Sequence, residues 1–329
     1  MYNLVLSGGG IRGILHLGSL KTLEEKNIFK NIKNFGGSSA GSMISLLLSI
    51  GYTYNDIMII FLKINTDKFY DITDIFEFLN IYGLLNLNPF EKFLRLLLEN
   101  KFKKKNITFS ELYNLTQKTL HINSININSN EEIIFNHINT PNIDVIDACL
   151  ASCSLPFIFP PKLIDNNYYI DAFAVNNCPC NIFKNDLDNT ICLSIMDLCE
   201  SNLKNNSFQN YVMNVFNSYK NYSYYITIKT FQPKILINLT YDCSPIDFDL
   251  SKDKLSEIFI TGYNLTNTFF EKNPIDETNL KLNDKKKEEN NNNDEETNNN
   301  NEEETNNNNE EENNTNTEEN NNEDIKNEK

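Results

Sequence analysis

The chain has 329 residues and a formal charge of −16, from 29 Lys and Arg against 45 Asp and Glu. The excess sits at one end: residues 284–329 hold 17 acidic groups, 5 basic groups and a single apolar side chain, Ile325. The preceding residues carry 28 acidic and 24 basic groups, too balanced for nucleic-acid binding by phosphate neutralisation, and no apolar run there approaches a membrane span of ~18–20 residues.

Residues 1–283 are therefore read as one folded domain with a sizeable core, and 284–329 as a disordered Asn/Glu-rich acidic tail with nothing to bury. Two readings of the tail stay open: a solubilising or interaction segment, and a low-complexity appendage without a specific partner. The N-terminus, Met1-Tyr2-Asn3-Leu4, has no cationic region ahead of an apolar stretch, so no signal peptide is expected. The 7 cysteines are odd in number and contain no Cys-x-x-Cys pair, which implies free thiols in a reducing, cytoplasmic compartment.

In chain order, Leu4, Val5 and Leu6 form a short strand that ends in Ser7-Gly8-Gly9-Gly10. Ile14, Leu17, Leu20 and Leu23 then recur at helical spacing, and Asn27 ends that helix. A strand at residues 34–35 runs into Gly36-Gly37-Ser38-Ser39-Ala40-Gly41, followed by an apolar helix over 42–50 closed by Gly51. Strand, glycine turn and helix, repeated, predict an α/β fold: a mostly parallel sheet with helices on both faces. Helices are expected at 55–64 and from Pro89 through Leu98, strands at 121–128 and 131–136, and a helix at 144–153. Asp165-Asn166-Asn167 turns a hairpin into a strand over 168–171. Strands at 190–196 and 234–240 and a helix over 251–270 complete the domain.

Gly37-x-Ser39-x-Gly41 between a strand and a helix is the strongest chemical feature. A turn that lifts a serine hydroxyl off the sheet edge must be flanked by small residues on both sides. The helix beginning at Ala40 adds positive potential for a developing oxyanion. The loop Gly8-Gly9-Gly10-Ile11-Arg12-Gly13 also fits a dinucleotide-binding pattern, but that reading needs an acidic residue about twenty positions on, and none lies between Lys26 and Ser49. Its backbone amides suit an oxyanion hole beside Ser39 better. Arg12 has two readings, support for that loop and a surface ion pair.

The base for Ser39 is sought among three histidines and the carboxylates. His16 is placed inside the first helix as a packed or capping residue, and His121 and His137 at the surface. Asp171 closes the strand Tyr168-Tyr169-Ile170 at what should be a sheet edge, and is the favoured candidate. Asp144 and Asp147 are read as helix N-terminal charges. No metal-ligand cluster is visible. The helix over 90–98 ends in Lys101-Phe102-Lys103-Lys104-Lys105; it is either a core-packed helix or an amphipathic element for anionic lipid.

Taken together these blocks resemble the patatin-like phospholipase family. Residues 8–13 match its Gly-Gly-Gly-x-Arg/Lys-Gly loop and residues 37–41 its serine turn. Ala148-x-x-Ala151-Ser152-x-Ser154-x-Pro156 resembles the block ahead of the family's aspartate, and Ile170-Asp171 with Asn176-Asn177-x-Pro179 resembles the third motif and its exit. Asp247-Phe248-Asp249 and Gly262 are also family-like, and the similarity spans about residues 1–272. The resemblance implies a three-layer α/β/α fold and a cofactor-free Ser39–Asp171 dyad. Gly8, Gly9, Gly10, Arg12 and Gly13 would form the oxyanion loop, and Gly37 and Gly41 would shape the serine turn. The implied activity is hydrolysis of carboxylic esters in phospholipids or acylglycerols through an acyl-enzyme, with transient contact at a membrane surface. Where the family has small residues after the aspartate, this chain has Ala172 and Phe173. A strained backbone at Ala172, or a pocket crowded by Phe173, would instead leave an impaired lipid-binding or scaffold protein.

Overall fold

Short apolar runs ending in glycine turns build the middle of a sheet, and the chain returns to its edges later. The computed structural model describes residues 1–63, 71–72, 75–197 and 208–274. These fall in one compact unit, Met1–Pro274; a second unit, Ile275–Lys329, lies outside the described residues, and with it the expected acidic tail at 284–329. Cys199 is outside them too.

The strands are β1 (Tyr2–Leu6), β2 (Ile32–Gly37), β3 (Asp71–Ile72), β4 (Leu85–Asn86), β5 (Thr119–Asn126), β6 (Glu131–Phe135), β7 (Lys162–Ile164), β8 (Asn167–Ile170), β9 (Thr190–Met196) and β10 (Ile235–Thr240). The helices are α1 (Ile14–Glu25), α2 (Ala40–Ser49), α3 (Tyr54–Lys63), α4 (Ile75–Ile81), α5 (Asn88–Phe102), α6 (Phe109–Thr116), α7 (Val145–Cys153), α8 (Phe173–Asn176), α9 (Phe208–Phe231) and α10 (Lys252–Lys272). The main sheet has the order β10-β9-β1-β2-β5-β8-β7, with β6 also on β5; β3 and β4 pair separately. The pairs from β10 to β5 are parallel, and those of β6, β7 and β8 antiparallel.

Helices cover both faces of the sheet. Val5 and Cys192 are register partners and pack with Cys178 and Cys180 against Tyr224, Ile228 and Phe231 of α9. Alternation along β1 sends Leu4 and Leu6 to the other face, and both are fully buried there. α2 lies on that second face, behind Gly37, and α10 packs along α1. Burial on both sides explains why the central strands read as near-continuous apolar runs. α9 was not foreseen from the sequence. Its Tyr, Thr and Asn content favours helix weakly, and it forms because one face covers the Val5–Cys192 layer.

The register of β5 places the site. Ile122 pairs with Gly37 of β2 and Phe135 of β6, so these lie on opposite flanks; Ile125 pairs likewise with Ile170 of β8 and Glu132 of β6. β2 and β8 therefore share one flank of β5. β2 runs parallel to β5 and β8 antiparallel to it, so their carboxyl ends point at each other across a short gap. Residues 38–39 leave one end, and residue 171 leaves the other.

Candidate active site

The turn after β2 is too tight for side chains on its glycines. A Cβ on Gly37 would lie 2.5 Å from the Gly41 backbone, and one on Gly41 would lie 2.2 Å from the Leu6 oxygen. Between them Ser39 is held at φ 51°, ψ −124°, a conformation that costs a non-glycine residue about 1–3 kcal/mol. The surroundings hold it there. Ser39 N–H donates to Ser152 Oγ at 2.8 Å, Ser42 Oγ donates to the Ser39 carbonyl at 2.6 Å, and α2 begins at the next residue.

Asp171 faces this serine from the end of β8. The Ser39 side chain lies against its carboxylate, and Phe173 N–H donates to Oδ1 at 2.9 Å. Its own N–H donates to the Ser154 carbonyl at 2.9 Å. The end of α7 thus holds both partners: Ser152 grips the backbone of Ser39, and Ser154 grips that of Asp171. Asp171 is only 4% exposed. Burial raises its pKa to about 7, although Ser39 and Phe173 N–H act in the opposite direction. An ordinary carboxylate at pKa ~4 is a weak base for an alcohol; this one is poised near neutrality.

The backbone strain expected at Ala172 is absent, and Phe173 is one of the residues that line the cavity with Ser39. Ala172 has φ −79° and ψ 8°, with no left-handed strain. The Phe173 ring packs against Phe216 of α9, centroids 5.4 Å apart, while its amide supports Asp171.

The first glycine loop lies beside Ser39: a Cβ on Gly8 would be 3.1 Å from the serine Cβ. The loop's expected amides divide into two groups. Gly8 N–H is engaged by the Asn177 carbonyl at 3.0 Å, Ile11 N–H by Pro245 at 2.9 Å and Arg12 N–H by Gly9 at 3.2 Å. Gly8 is therefore no oxyanion donor in this arrangement. Gly9 and Gly10 line the cavity, and among the described residues no acceptor is found for their amides. Gly10 takes φ 57° with the Pro245 oxygen 1.9 Å from where a Cβ would stand, so only glycine fits. Gly13 packs where a Cβ would come 3.1 Å from Ala40, at the base of α2.

Arg12 is not at the surface. It is 5% exposed, and Nη1 donates to Asp197 Oδ1 at 2.8 Å; Lys220 Nζ of α9 pairs with the same carboxylate. Arg12, Lys220, Ser39 and Asp171 all line one cavity of about 190 Å³. The rest of its wall is largely apolar, including Phe61, Leu87, Phe90, Leu155 and Phe159. Asp197, Lys220, Ser152 and Asn177 were not singled out as site residues; Ser152 and Asn177 lay inside quoted motifs, whereas nothing in the local sequence marks Lys220.

None of the histidines faces Ser39. His16 is fully buried, its Nε2–H meets the Ser7 carbonyl at 2.9 Å, and burial lowers its pKa to about 4. His121 and His137 are not free surface residues. His121 sits edge-on to Phe183, its pKa lowered by burial to about 4, and His137 stacks on Tyr113 at 4.2 Å. Both are half-buried, and neither is among the residues that line the cavity. No group of three or more His, Cys, Asp or Glu able to hold a metal occurs among the described residues. Asp144 caps α7 through the amides of Ile146 and Asp147 and, with Asp147 and Glu91, pairs with Arg95 of α5. α5 buries Leu94, Leu97 and Leu98, and its basic exit is tied down: Lys101 donates to the Gly51 carbonyl at 3.0 Å and Lys104 to Glu111 at 2.9 Å. No helix among the described residues is long and apolar enough to cross a membrane.

The Patatin-like phospholipase family model matches residues 4–184 of the chain. An uncharacterized protein of Acanthamoeba polyphaga mimivirus, R571, is 31% identical over 274 residues, covering 79% of this chain and 90% of that one. The probable lipid hydrolase 463L of Invertebrate iridescent virus 6 is 38% identical over 185 residues, 54% of this chain and 62% of that protein. Triacylglycerol lipase 4 of Saccharomyces cerevisiae is 34% identical over 165 residues, 48% of this chain and 18% of the yeast protein. The crystal structure of VipD from Legionella pneumophila superposes with a TM-score of 0.50 at 15% identity, covering 82% of this chain and 67% of that one, which speaks for the fold alone. The chain belongs to the patatin-like phospholipase family, a family of lipid hydrolases.

Two stability measurements test this geometry. Ser152→Ala leaves the Ser39 amide buried without an acceptor and is expected to cost about 1–3 kcal/mol in urea unfolding. For Asp171, the folded pKa of about 7 lies above the ordinary 3.8, so the folded state holds more protons between these values. Its contribution to stability therefore falls as pH rises through that window and levels off above it. Asp171→Asn removes the effect, so its stability relative to the native chain is expected to improve from pH 4.5 to pH 8.

Proposed function

We propose that the chain is a serine acyl hydrolase that cleaves carboxylic esters of phospholipids or acylglycerols through Ser39 and Asp171. The observation that carries this reading is the Ser39 side chain, held on a strained turn, against the buried carboxylate of Asp171 in the wall of one largely apolar cavity.

In the proposed reaction Asp171 takes the hydroxyl proton as Ser39 Oγ attacks the ester carbonyl. Negative charge develops on the carbonyl oxygen. The amides of Gly9 and Gly10, with the α2 N-terminus, are the donors placed to receive it; one such donor is typically worth about 2.7–4 kcal/mol. The tetrahedral adduct collapses, Asp171 returns its proton to the leaving alcohol, and Ser39 is left acylated. Water, deprotonated by Asp171, then attacks the acyl carbon, and the acid leaves as Asp171 returns that proton to Ser39 Oγ. The step needs no metal and no cofactor. His16, neutral at pH 7, supports the Ser7 carbonyl just ahead of the glycine loop and takes no proton.

The apolar wall suits an acyl chain, and the names of the viral and yeast relatives point to lipid esters. A cytoplasmic location with transient contact at a membrane surface belongs to the same reading. The impaired-scaffold alternative is not favoured, because Ala172 is unstrained and Phe173 supports Asp171.

Purified protein and a neutral short-chain ester test the reading. Ser39→Ala is expected to lower kcat by at least about 10³-fold, and Asp171→Asn by about 10³–10⁴-fold. Because the unprotonated carboxylate is the active form, kcat/KM of the native chain should rise with pH through about 7 and then level off. Undiminished turnover by Ser39→Ala would remove the proposal, and a profile rising only near pH 4 would remove Asp171 as its base.

A further inference from the structure

Two successive peptides at the start of the glycine loop are fixed at both polar atoms or at one of them by groups from elsewhere in the chain. In the first, the Ser7 carbonyl accepts from His16 Nε2–H at 2.9 Å and Gly8 N–H donates to the Asn177 carbonyl at 3.0 Å. In the second, the Gly8 carbonyl accepts from Asn177 Nδ2 at 3.2 Å and from Ser7 Oγ at 3.2 Å, and that hydroxyl in turn accepts from Ile195 N–H at 2.7 Å. Asn177 therefore grips Gly8 twice, through its own carbonyl and through its side-chain amide. The peptides are trans, and in a trans peptide the carbonyl and the following N–H point in opposite directions. Fixing the Gly8 carbonyl thus fixes the Gly9 N–H, directed away from Asn177 Nδ2 and Ser7 Oγ. Gly9 lines the cavity with Ser39, and no acceptor for its amide is found among the described residues. The fit of Asn177 to the loop is close: a Cβ on Gly8 would stand 2.4 Å from Asn177 Oδ1. Asn177 is buried, and only the short helix α8 separates it from the Asp171 end of β8.

We infer that Asn177 is a positioning residue for the proposed acyl transfer: by holding the Gly8 carbonyl, its side-chain amide aims the Gly9 N–H at the oxygen of the reacting ester carbonyl. The inference rests on the hydrolase reading and deepens it. It makes the segment from Asp171 to Asn177 one device, with the base at its start and the clamp on an oxyanion donor at its end. Such a donor stabilises the transition state only if it is directed before the charge develops. A peptide between two glycines has no Cβ to restrain it and turns over readily, so the direction of the Gly9 N–H has to be imposed from outside the loop. Asn177 acts through Gly9, so its loss falls on the chemical step and leaves binding of the ester unchanged. Ser7 Oγ, the second donor to the same carbonyl, acts in the same sense.

The test uses the full chain with a neutral short-chain ester and with a trifluoromethyl ketone. Ser39 Oγ bonds to the ketone carbon, its proton passes to Asp171, and the ketone oxygen becomes the oxyanion. Asn177→Ala is expected to lower kcat about 10–100-fold with KM within about twofold, and to weaken inhibition by the ketone by the same factor. The midpoint of the kcat/KM profile stays near 7, because Asp171 is untouched. Asn177→Leu keeps the volume without the N–H donor and is expected to be as slow as Asn177→Ala; recovery in the leucine variant would make the role one of packing and overturn the inference. A folded Asn177→Ala with native kcat, a loss carried by KM alone, or a midpoint displaced from 7 would overturn it as well. If the Asn177 variants do not fold, Ser7→Ala removes the other donor to the Gly8 carbonyl and is expected to show the same split between kcat and KM; native kcat there counts against the clamp. Nuclear magnetic resonance of the 15N-glycine-labelled chain reads the loop without turnover, and the order parameter of the Gly9 amide is expected to fall from about 0.85 to below about 0.6 in Asn177→Ala. If the native chain neither hydrolyses the ester nor binds the ketone, the hydrolase reading fails by itself. The hold of Asn177 on Gly9 is then decided by this order parameter, and an unchanged value overturns it.

Discussion

The structure depends on the meeting of a hydroxyl and a buried carboxylate in the wall of one largely apolar cavity. β2 and β8 lie end to end on one flank of β5, and the gap between their carboxyl ends is where Ser39 and Asp171 stand. Burying a carboxylate without a cation beside it is unfavourable, and its proton affinity rises accordingly. In the proposed reaction the same penalty serves the chemistry: a buried group near pKa 7 removes a proton from an alcohol far more readily than an exposed one near 4. Strain at Ser39 and desolvation at Asp171 are both held in place by the end of α7, through Ser152 and Ser154.

The hydrolase proposed here needs no histidine. In a triad an imidazole supplies the near-neutral pKa. Here burial supplies it, and each of the three histidines has another place: His16 braces the Ser7 carbonyl, His121 meets Phe183 and His137 stacks on Tyr113. The glycine loop is likewise divided between structure and chemistry. Gly8 ties the loop to Asn177, Gly10 packs against the 245 region, and Gly9 and Gly10 line the cavity.

Local features were legible in the sequence. The tight turn around Ser39 is written in Gly37 and Gly41, whose side-chain space is filled by backbone, and the alternation of strand, glycine turn and helix gave the sheet class. Asp171 could be picked out because it closes an apolar strand. Properties that arise only between distant segments were hidden. The raised pKa of Asp171 comes from burial by several elements, and the fate of Gly8 N–H is decided by Asn177, which lies more than 160 positions away. α9 carries no strong periodic signal, so neither the helix nor Lys220 on it was foreseen. Arg12 was ambiguous for the same reason: its partner Asp197 lies 185 residues away.

The central claim is that burial of Asp171 activates Ser39, and labelling by a fluorophosphonate measures it directly. The account predicts covalent modification at Ser39 in the native chain, at a rate that rises as pH passes through about 7, and near-complete loss of labelling in Asp171→Asn. Labelling of Asp171→Asn at the native rate, or attachment of the probe to a different serine, would contradict it.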